Sequence, residues 1–194
     1  LEAGEVTTVS KINTIADGTA VQTPGDKLFP YLQANVDHVI TVDDSELTLS
    51  FLDMAENHKM IVENSGLLTV AALKHLDFKG KKVVSVLSGG NMDVLTMATV
   101  VQNGLMQRDR IFTVSVMLPD KPGQLAAVSS LIAKEQGNVI KLEHNVFANV
   151  NRTAGVELTI TLESFGTEHK DQIIKALEAA GYCPVITKTN GIYM

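Results

Sequence analysis

The sequence has little cysteine, few cationic residues and no long apolar run, and each shortage excludes a class of protein. Cys183 is the only cysteine among 194 residues. It excludes an internal disulfide and a cysteine-built metal site, and it is typical of a reducing compartment, so a cytoplasmic location is expected. No run reaches the ~18–20 apolar residues that span a bilayer. Lysine and arginine total 16 against 22 aspartates and glutamates, which argues against binding a nucleic-acid backbone.

Other common features are absent as well. The chain begins at Leu1 without an initiator Met or a signal-type apolar core, so we expect it to be a piece of a longer protein. Its five histidines have no metal-ligand spacing, and no metal site is predicted. A hydrophobic content of 45% excludes a disordered tail and is sufficient for one or two folded domains.

Residues 1–104 alternate β-rich runs with helical patterns. Strands are predicted at residues 36–42, 59–62 and 82–87, each followed by a helix. The run 82–87 is almost continuously apolar, as expected of a strand covered on both faces. Asp43 offers an N-cap to the first of these helices. The alternation predicts an α/β fold with a partial parallel sheet and flanking helices.

A different pattern follows the predicted linker at residues 105–110. Residues 111–194 read strand-helix-strand-strand-helix-strand, which is the ferredoxin-like βαββαβ arrangement. Gly137 and Gly181 are predicted to end the two helices. The predicted strands cover residues 111–118, 138–147, 155–164 and 183–188, and the second helix covers residues 167–180.

The turn before the first helix of this second domain carries a motif. Asp120-Lys121-Pro122-Gly123-Gln124-Leu125, followed by Asn138 on the next strand, resembles the ACT domain, a regulatory module that binds amino acids. Pro122 and Gly123 shape the turn, and the helix start directs free N–H groups at a carboxylate. A plain strand-to-helix turn explains the same residues. The resemblance implies an amino-acid effector bound by Asp120, Pro122, Gly123, Gln124, Leu125 and Asn138, and a homo-oligomer formed by side-by-side pairing of ACT domains.

Three motifs in residues 1–104 resemble a second family. They are Ala16-Asp17-Gly18, Glu63-Asn64-Ser65-Gly66 and Ser88-Gly89-Gly90-Asn91. Their order and spacing, together with the ACT motif, are similar to those of the threonine ammonia-lyase (threonine dehydratase) family. These are fold-type-II pyridoxal-phosphate enzymes, as are serine racemase and serine dehydratase. The resemblance spans essentially the whole chain.

The resemblance implies a role for four residues around pyridoxal 5'-phosphate. Ser88 would hydrogen-bond the pyridine nitrogen, and Gly89 would let the backbone approach the ring. Gly18 would pass close to the ring face, and Glu63 would lie near the polar edge of the cofactor. A neutral hydroxyl at the ring nitrogen gives a weaker electron sink than an aspartate, which suits the loss of a β-hydroxyl group. An ordinary turn or a phosphate cradle explains Ser-Gly-Gly alone.

The lysine that forms the Schiff base in this family is missing. None of the thirteen lysines lies in a motif of the family's type. The intact protein is therefore expected to convert L-threonine to 2-oxobutanoate and ammonia, and this chain alone is expected to be inactive. Two alternatives stay open: a serine dehydratase or racemase of the same family, and a non-enzymatic amino-acid-binding regulatory module.

Overall fold

A computed structural model describes residues 1, 3–145 and 155–189, which form two compact units, Leu1–Val101 and Gln102–Met194. The α-helices are α1 (Phe29–Asn35), α2 (Asp44–Asp53), α3 (Leu68–Ala71), α4 (Val94–Gln107), α5 (Gln124–Lys134) and α6 (Thr167–Ala179). The strands are β1 (Ile111–Leu118), β2 (Asn138–Asn145), β3 (Val156–Glu163) and β4 (Val185–Thr187). Short 3-10 turns cover Asp17–Thr19, Asn64–Leu67 and Ala72–His75, and a π turn covers Met54–His58.

Helix α2 organises the first unit. Asp43 caps it as predicted, because its side chain accepts from the third helical residue while Glu46 accepts the Asp43 N–H at 2.9 Å. Leu47 and Phe51 lie on the inner face of α2 and are each 1% exposed. They pack into a core that also contains residues of the 3-10 turn at Asn64–Leu67 and of α4. The remaining buried members of this core are Ala16, Met54, Val62, Leu67, Ala71 and Val100.

The three segments predicted as strands of this unit form no ladder among the described residues. Residues 36–42, 59–62 and 82–87 have no regular secondary structure, and Val84 and Val86 are 88% and 65% exposed. A parallel strand needs a hydrogen-bonded neighbour, and the described residues supply none to these segments. The prediction of paired strands is therefore wrong here. The helices predicted after the first and third segments do form, as α2 and α4.

The second unit has the predicted ferredoxin-like fold. The α/β class is therefore confirmed, and the paired strands lie in this unit. The sheet has the order β2-β3-β1-β4, and every pairing is antiparallel. Leu118 lies opposite Val156 at one end of β1, and Ile111 lies opposite Glu163 at the other. The predicted connection at residues 149–153 lies outside the described residues.

The core of this unit lies between the sheet and helices α5 and α6. Its buried side chains alternate along β1 and β3 and recur at helical spacing on the two helices. They are Phe112, Val114, Val116, Leu118, Val128, Ile132, Leu158, Ile160, Leu162, Ile173 and Leu177.

The helix ends of this unit differ from the prediction at one glycine. Gly181 has φ +88° after α6, as a terminating glycine should. After α5, however, Gln136 takes the left-handed conformation, with φ +64°. Gly137 is instead required by space, because a Cβ there would lie 2.9 Å from the side chains of Ile132 and Ile173. None of the helices in the described ranges is long and apolar enough to cross a membrane. Cys183, just before β4, is exposed.

Candidate functional site

Glu63 and the loop at residues 88–91 are held against each other. The Glu63 N–H donates to the Gly89 carbonyl at 3.3 Å, and the Glu63 carboxylate accepts the Asn91 N–H at 3.2 Å. Gly89 has φ +84°, and a Cβ there would lie 2.4 Å from Glu63 Oε1. Glycine is therefore needed at position 89 both for its conformation and for the approach of the carboxylate.

Gly18 completes this group from another part of the chain. A Cβ at Gly18 would lie 2.9 Å from Ser65 Oγ and 3.9 Å from Glu63 Oε1. Three of the four residues predicted to bind the cofactor thus lie together, because Gly18 and Gly89 both approach the carboxylate of Glu63. The sequence motifs that contain them are separated by up to 71 positions, from 18 to 89.

Ser88, the fourth predicted residue, has an exposed side chain. Its backbone carbonyl lies so close to Gly66 that a Cβ on that glycine would be 2.2 Å from the oxygen. The contact fixes the backbone of Ser88 and leaves its hydroxyl free to meet a ligand.

Two neighbouring side chains had no assigned role in the sequence analysis. Asn64 donates to the Ile15 carbonyl at 3.0 Å, but its Oδ1 is buried without a hydrogen-bond partner. The Ser65 hydroxyl is likewise buried and unpartnered. Their position directly after Glu63 was the available signal. Unsatisfied buried polar atoms are uncommon in folded proteins and mark this group as incomplete without further polar partners.

The predicted effector turn lies in the second unit. Asp120 and Pro122 are exposed, and Gly123, with φ +89°, precedes the first residue of α5. A Cβ at Gly123 would have nothing within 4 Å. Gln124 and Leu125 are the first two residues of α5, and the Gln124 N–H donates to the Lys121 carbonyl at 3.4 Å.

Asn138 lies at the opposite end of the sheet from this turn. It pairs with Glu163, which pairs with Ile111 at the start of β1, whereas the turn follows Leu118 at the other end of that strand. The Asn138 side-chain amide donates to Glu163 Oε2 at 3.1 Å. Within one chain, therefore, the predicted effector residues do not meet at one point.

Comparison with known proteins gives two family matches. Residues 1–89 match the pyridoxal-phosphate dependent enzyme family, and residues 112–181 match the ACT domain. The chain is 36% identical over 191 residues to the L-threonine ammonia-lyase of Geobacter sulfurreducens, covering 97% of this chain and 47% of that relative. It is 33% identical over 183 residues to the L-threonine ammonia-lyase of Thermotoga maritima, covering 94% and 46%.

Among solved structures, a threonine deaminase from T.th. is 31% identical over 47% of this chain and 32% of that chain, with a TM-score of 0.42. The chain spans about half the length of the curated relatives it matches. The chain thus combines a segment of the pyridoxal-phosphate dependent enzyme family with an ACT domain, and over nearly its whole length it is similar to L-threonine ammonia-lyases.

Proposed function

We propose that this chain is part of a pyridoxal-phosphate-dependent threonine ammonia-lyase, which converts L-threonine to 2-oxobutanoate and ammonia in the cytoplasm. The observation that carries the proposal is the meeting of Gly18, Glu63 and Gly89 around one carboxylate, with the Ser88 hydroxyl exposed beside them. The similarity to L-threonine ammonia-lyases over nearly the whole chain favours threonine as the substrate.

The residues of this group fit pyridoxal 5'-phosphate. The Ser65 hydroxyl and the side-chain oxygen Oδ1 of Asn64 are buried directly after Glu63 without hydrogen-bond partners. This group therefore lacks some of the polar partners that its buried atoms need. The exposed Ser88 hydroxyl can donate to a ring nitrogen, and Gly18 and Gly89 let the side chains of Ser65 and Glu63 lie close to the backbone. When bound, the cofactor supplies the electron sink for loss of the β-hydroxyl group.

The chain offers no lysine with the neighbourhood expected of the Schiff-base residue, so we expect it to be inactive alone. Purified chain with added cofactor and L-threonine should give no 2-oxobutanoate, whereas the intact protein should. In the intact protein, Ser88→Ala should lower the affinity for the cofactor and shift its absorbance band, and Ser88→Thr, which keeps the hydroxyl, should restore both. Keto-acid production by the chain alone would contradict its expected inactivity, and an intact protein that forms no 2-oxobutanoate would contradict the proposed function.

The second unit is proposed to bind an amino-acid effector as a pair of chains. Because Asn138 and the turn at residues 119–123 lie at opposite ends of one sheet, a site that uses both must draw them from two chains. β2 is an edge strand. Antiparallel pairing of two β2 strands would place Asn138 of one copy at the same sheet end as the turn of the other.

Calorimetry with isoleucine, valine, threonine and serine tests the effector, and sedimentation analysis tests the pairing. Binding of one of these amino acids by a dimer, and its loss in Asn138→Ala, is the expected result. A chain that stays monomeric yet binds with full affinity would contradict the two-chain site.

A second candidate is an amino-acid-binding regulatory module without catalysis. It is favoured by the complete core and paired sheet of the second unit, since the first unit has no ladder among its described residues. Cofactor absorbance of the intact protein separates the two candidates, because a regulatory module would bind the amino acid and show no cofactor band.

A further inference from the structure

We propose that Glu163 binds the ammonium group of the amino-acid effector, next to Asn138. The inference rests on the proposed effector function of the second unit and adds a recognition residue that the ACT motif does not contain. It would make Glu163 the group that distinguishes a zwitterionic amino acid from a plain carboxylate.

The geometry holds the Glu163 carboxylate ready for a ligand. Asn138 and Glu163 are directly opposite each other on β2 and β3, and the Asn138 amide donates to Oε2 at 3.1 Å. This hydrogen bond orients the carboxylate and leaves Oε1 available. Both side chains are exposed at the sheet end.

The backbones that carry these two side chains are fixed. Gly137, before Asn138, is packed so closely that a Cβ would lie 2.9 Å from two isoleucine side chains. Ser164, after Glu163, is 4% exposed, and its N–H donates to the Arg110 carbonyl at 2.8 Å. The pair is therefore a preorganised acceptor, and little ordering is needed when a ligand binds.

The charge of Glu163 is uncompensated within the described part of the chain. Another glutamate on the same sheet face, Glu143, forms an ion pair with Lys141 at 2.7 Å, whereas Glu163 has no cation as a partner there. An oriented carboxylate without a counter-ion is complementary to an ammonium group.

Glu163→Gln tests the inference, with Glu143→Gln as a matched control on the same sheet face. Calorimetry on the full chain would use L-isoleucine, L-valine, L-threonine and L-serine, together with the 2-hydroxy acids in which a hydroxyl replaces the amine. Glu163→Gln should weaken binding of the amino acid about tenfold or more, because a charge-assisted hydrogen bond is lost. Binding of the hydroxy acid should stay within about twofold, and Glu143→Gln should change neither.

Two patterns would overturn the inference in different ways. If Asn138→Ala abolishes amino-acid binding while Glu163→Gln binds as tightly as the wild type or more tightly, the effector site stands and the role of Glu163 fails. If the wild type binds none of the four amino acids, or Asn138→Ala binds them unchanged, the proposed effector function fails and the inference fails with it.

Discussion

Gly66 determines where the backbone that carries Ser88 can lie. A Cβ on this buried glycine would stand 2.2 Å from the Ser88 carbonyl oxygen and 2.9 Å from Val62 Cγ1. Its φ is not in the left-handed region, so another residue could adopt the conformation. Glycine is required here by contact with a neighbouring segment, which local sequence patterns do not reveal.

Gly66→Ala should therefore displace the loop at residues 88–91 and destabilise the first unit. We expect a loss of about 1–3 kcal/mol in the free energy of unfolding, as for other overpacked sites, measured by urea denaturation. Gly25→Ala is the matched control, because a Cβ at Gly25 meets nothing within 4 Å. Equal midpoints for the two variants would show that Ser88 does not lie against Gly66.

His169 is a buried side chain whose two ring nitrogens both have backbone partners. Nδ1 accepts the Phe165 N–H at 3.0 Å, and Nε2 lies 2.6 Å from the Glu135 carbonyl oxygen. An N–H can only donate and a carbonyl can only accept, so the ring is neutral with its proton on Nε2. The ring also stacks on Phe165 with centroids 4.7 Å apart. His169 thus joins the start of α6 to the end of α5.

His169→Ala should leave both backbone groups without their partner. We expect a loss of about 1–3 kcal/mol in the free energy of unfolding, since two partly buried hydrogen bonds of about 0.5–1.5 kcal/mol each are lost. His144→Ala, at an exposed position of the same unit, should change it by less than about 0.5 kcal/mol. Nitrogen NMR shifts that place the proton on Nδ1 would contradict the assigned tautomer.

At the scale of elements, Asp109 fastens the segment before β1 to the first turn of α6. Its Oδ1 lies 2.8 Å from Lys170 Nζ, and its Oδ2 accepts the Thr167 hydroxyl at 2.8 Å. The Ser164 hydroxyl donates to the Asp109 carbonyl. Partial burial raises the pKa of Asp109, but the hydrogen bonds from Lys170 and Thr167 outweigh it and hold the pKa below its ordinary value of 3.8. In the predicted linker at residues 105–110, Asp109 is therefore attached to the second unit, while residues 105–107 are the last residues of α4.

Asp109→Asn should weaken this attachment through charge alone, because asparagine tolerates the left-handed φ of +54° at this position. Because folding lowers the pKa of Asp109, its carboxylate stabilises the folded state at pH values above its ordinary pKa. This stabilisation is lost as the pH falls through the native pKa. The variant should thus lose about 1 kcal/mol at pH 7 and approach the wild type below pH 3.8. Asp171→Asn, exposed on α6, is the control. A pH-independent difference would exclude the ion pair as its cause.

Patterns within single elements predicted much of the fold. The cap at Asp43 and the inner face of α2 follow from helical spacing, and the βαββαβ order follows from short local runs. The strand predicted at residues 82–87 is not present, because an apolar run cannot show whether a hydrogen-bonding neighbour is available, and the described residues supply none. The same limit applies to Asn138, whose distance from the turn depends on strand register rather than on sequence spacing.

At the scale of the whole molecule, the first unit exposes apolar side chains at residues 82–87, which the proposed intact enzyme would cover. Val84 and Val86 are 88% and 65% exposed. Replacing both by threonine should reduce dye binding and aggregation of this chain without lowering its stability. In the intact protein the same replacements should be destabilising. Val21 is 59% exposed, and Val21→Thr serves as the control in this chain and in the intact protein. Equal dye binding by the double variant and the wild type would contradict this account.

Cys183 provides a direct way to determine how two copies associate. It is the only cysteine of the chain, and its thiol is exposed next to β4, the edge strand opposite β2. If two sheets join through β2, spin labels on the two thiols lie at the outer margins of eight strands, at least roughly 34 Å apart. If they join antiparallel through β4, each Cys183 lies beyond one end of the paired residues Val185–Thr187, so the two thiols are roughly 20 Å apart. A single electron-resonance distance therefore distinguishes the two modes of assembly without any added mutation.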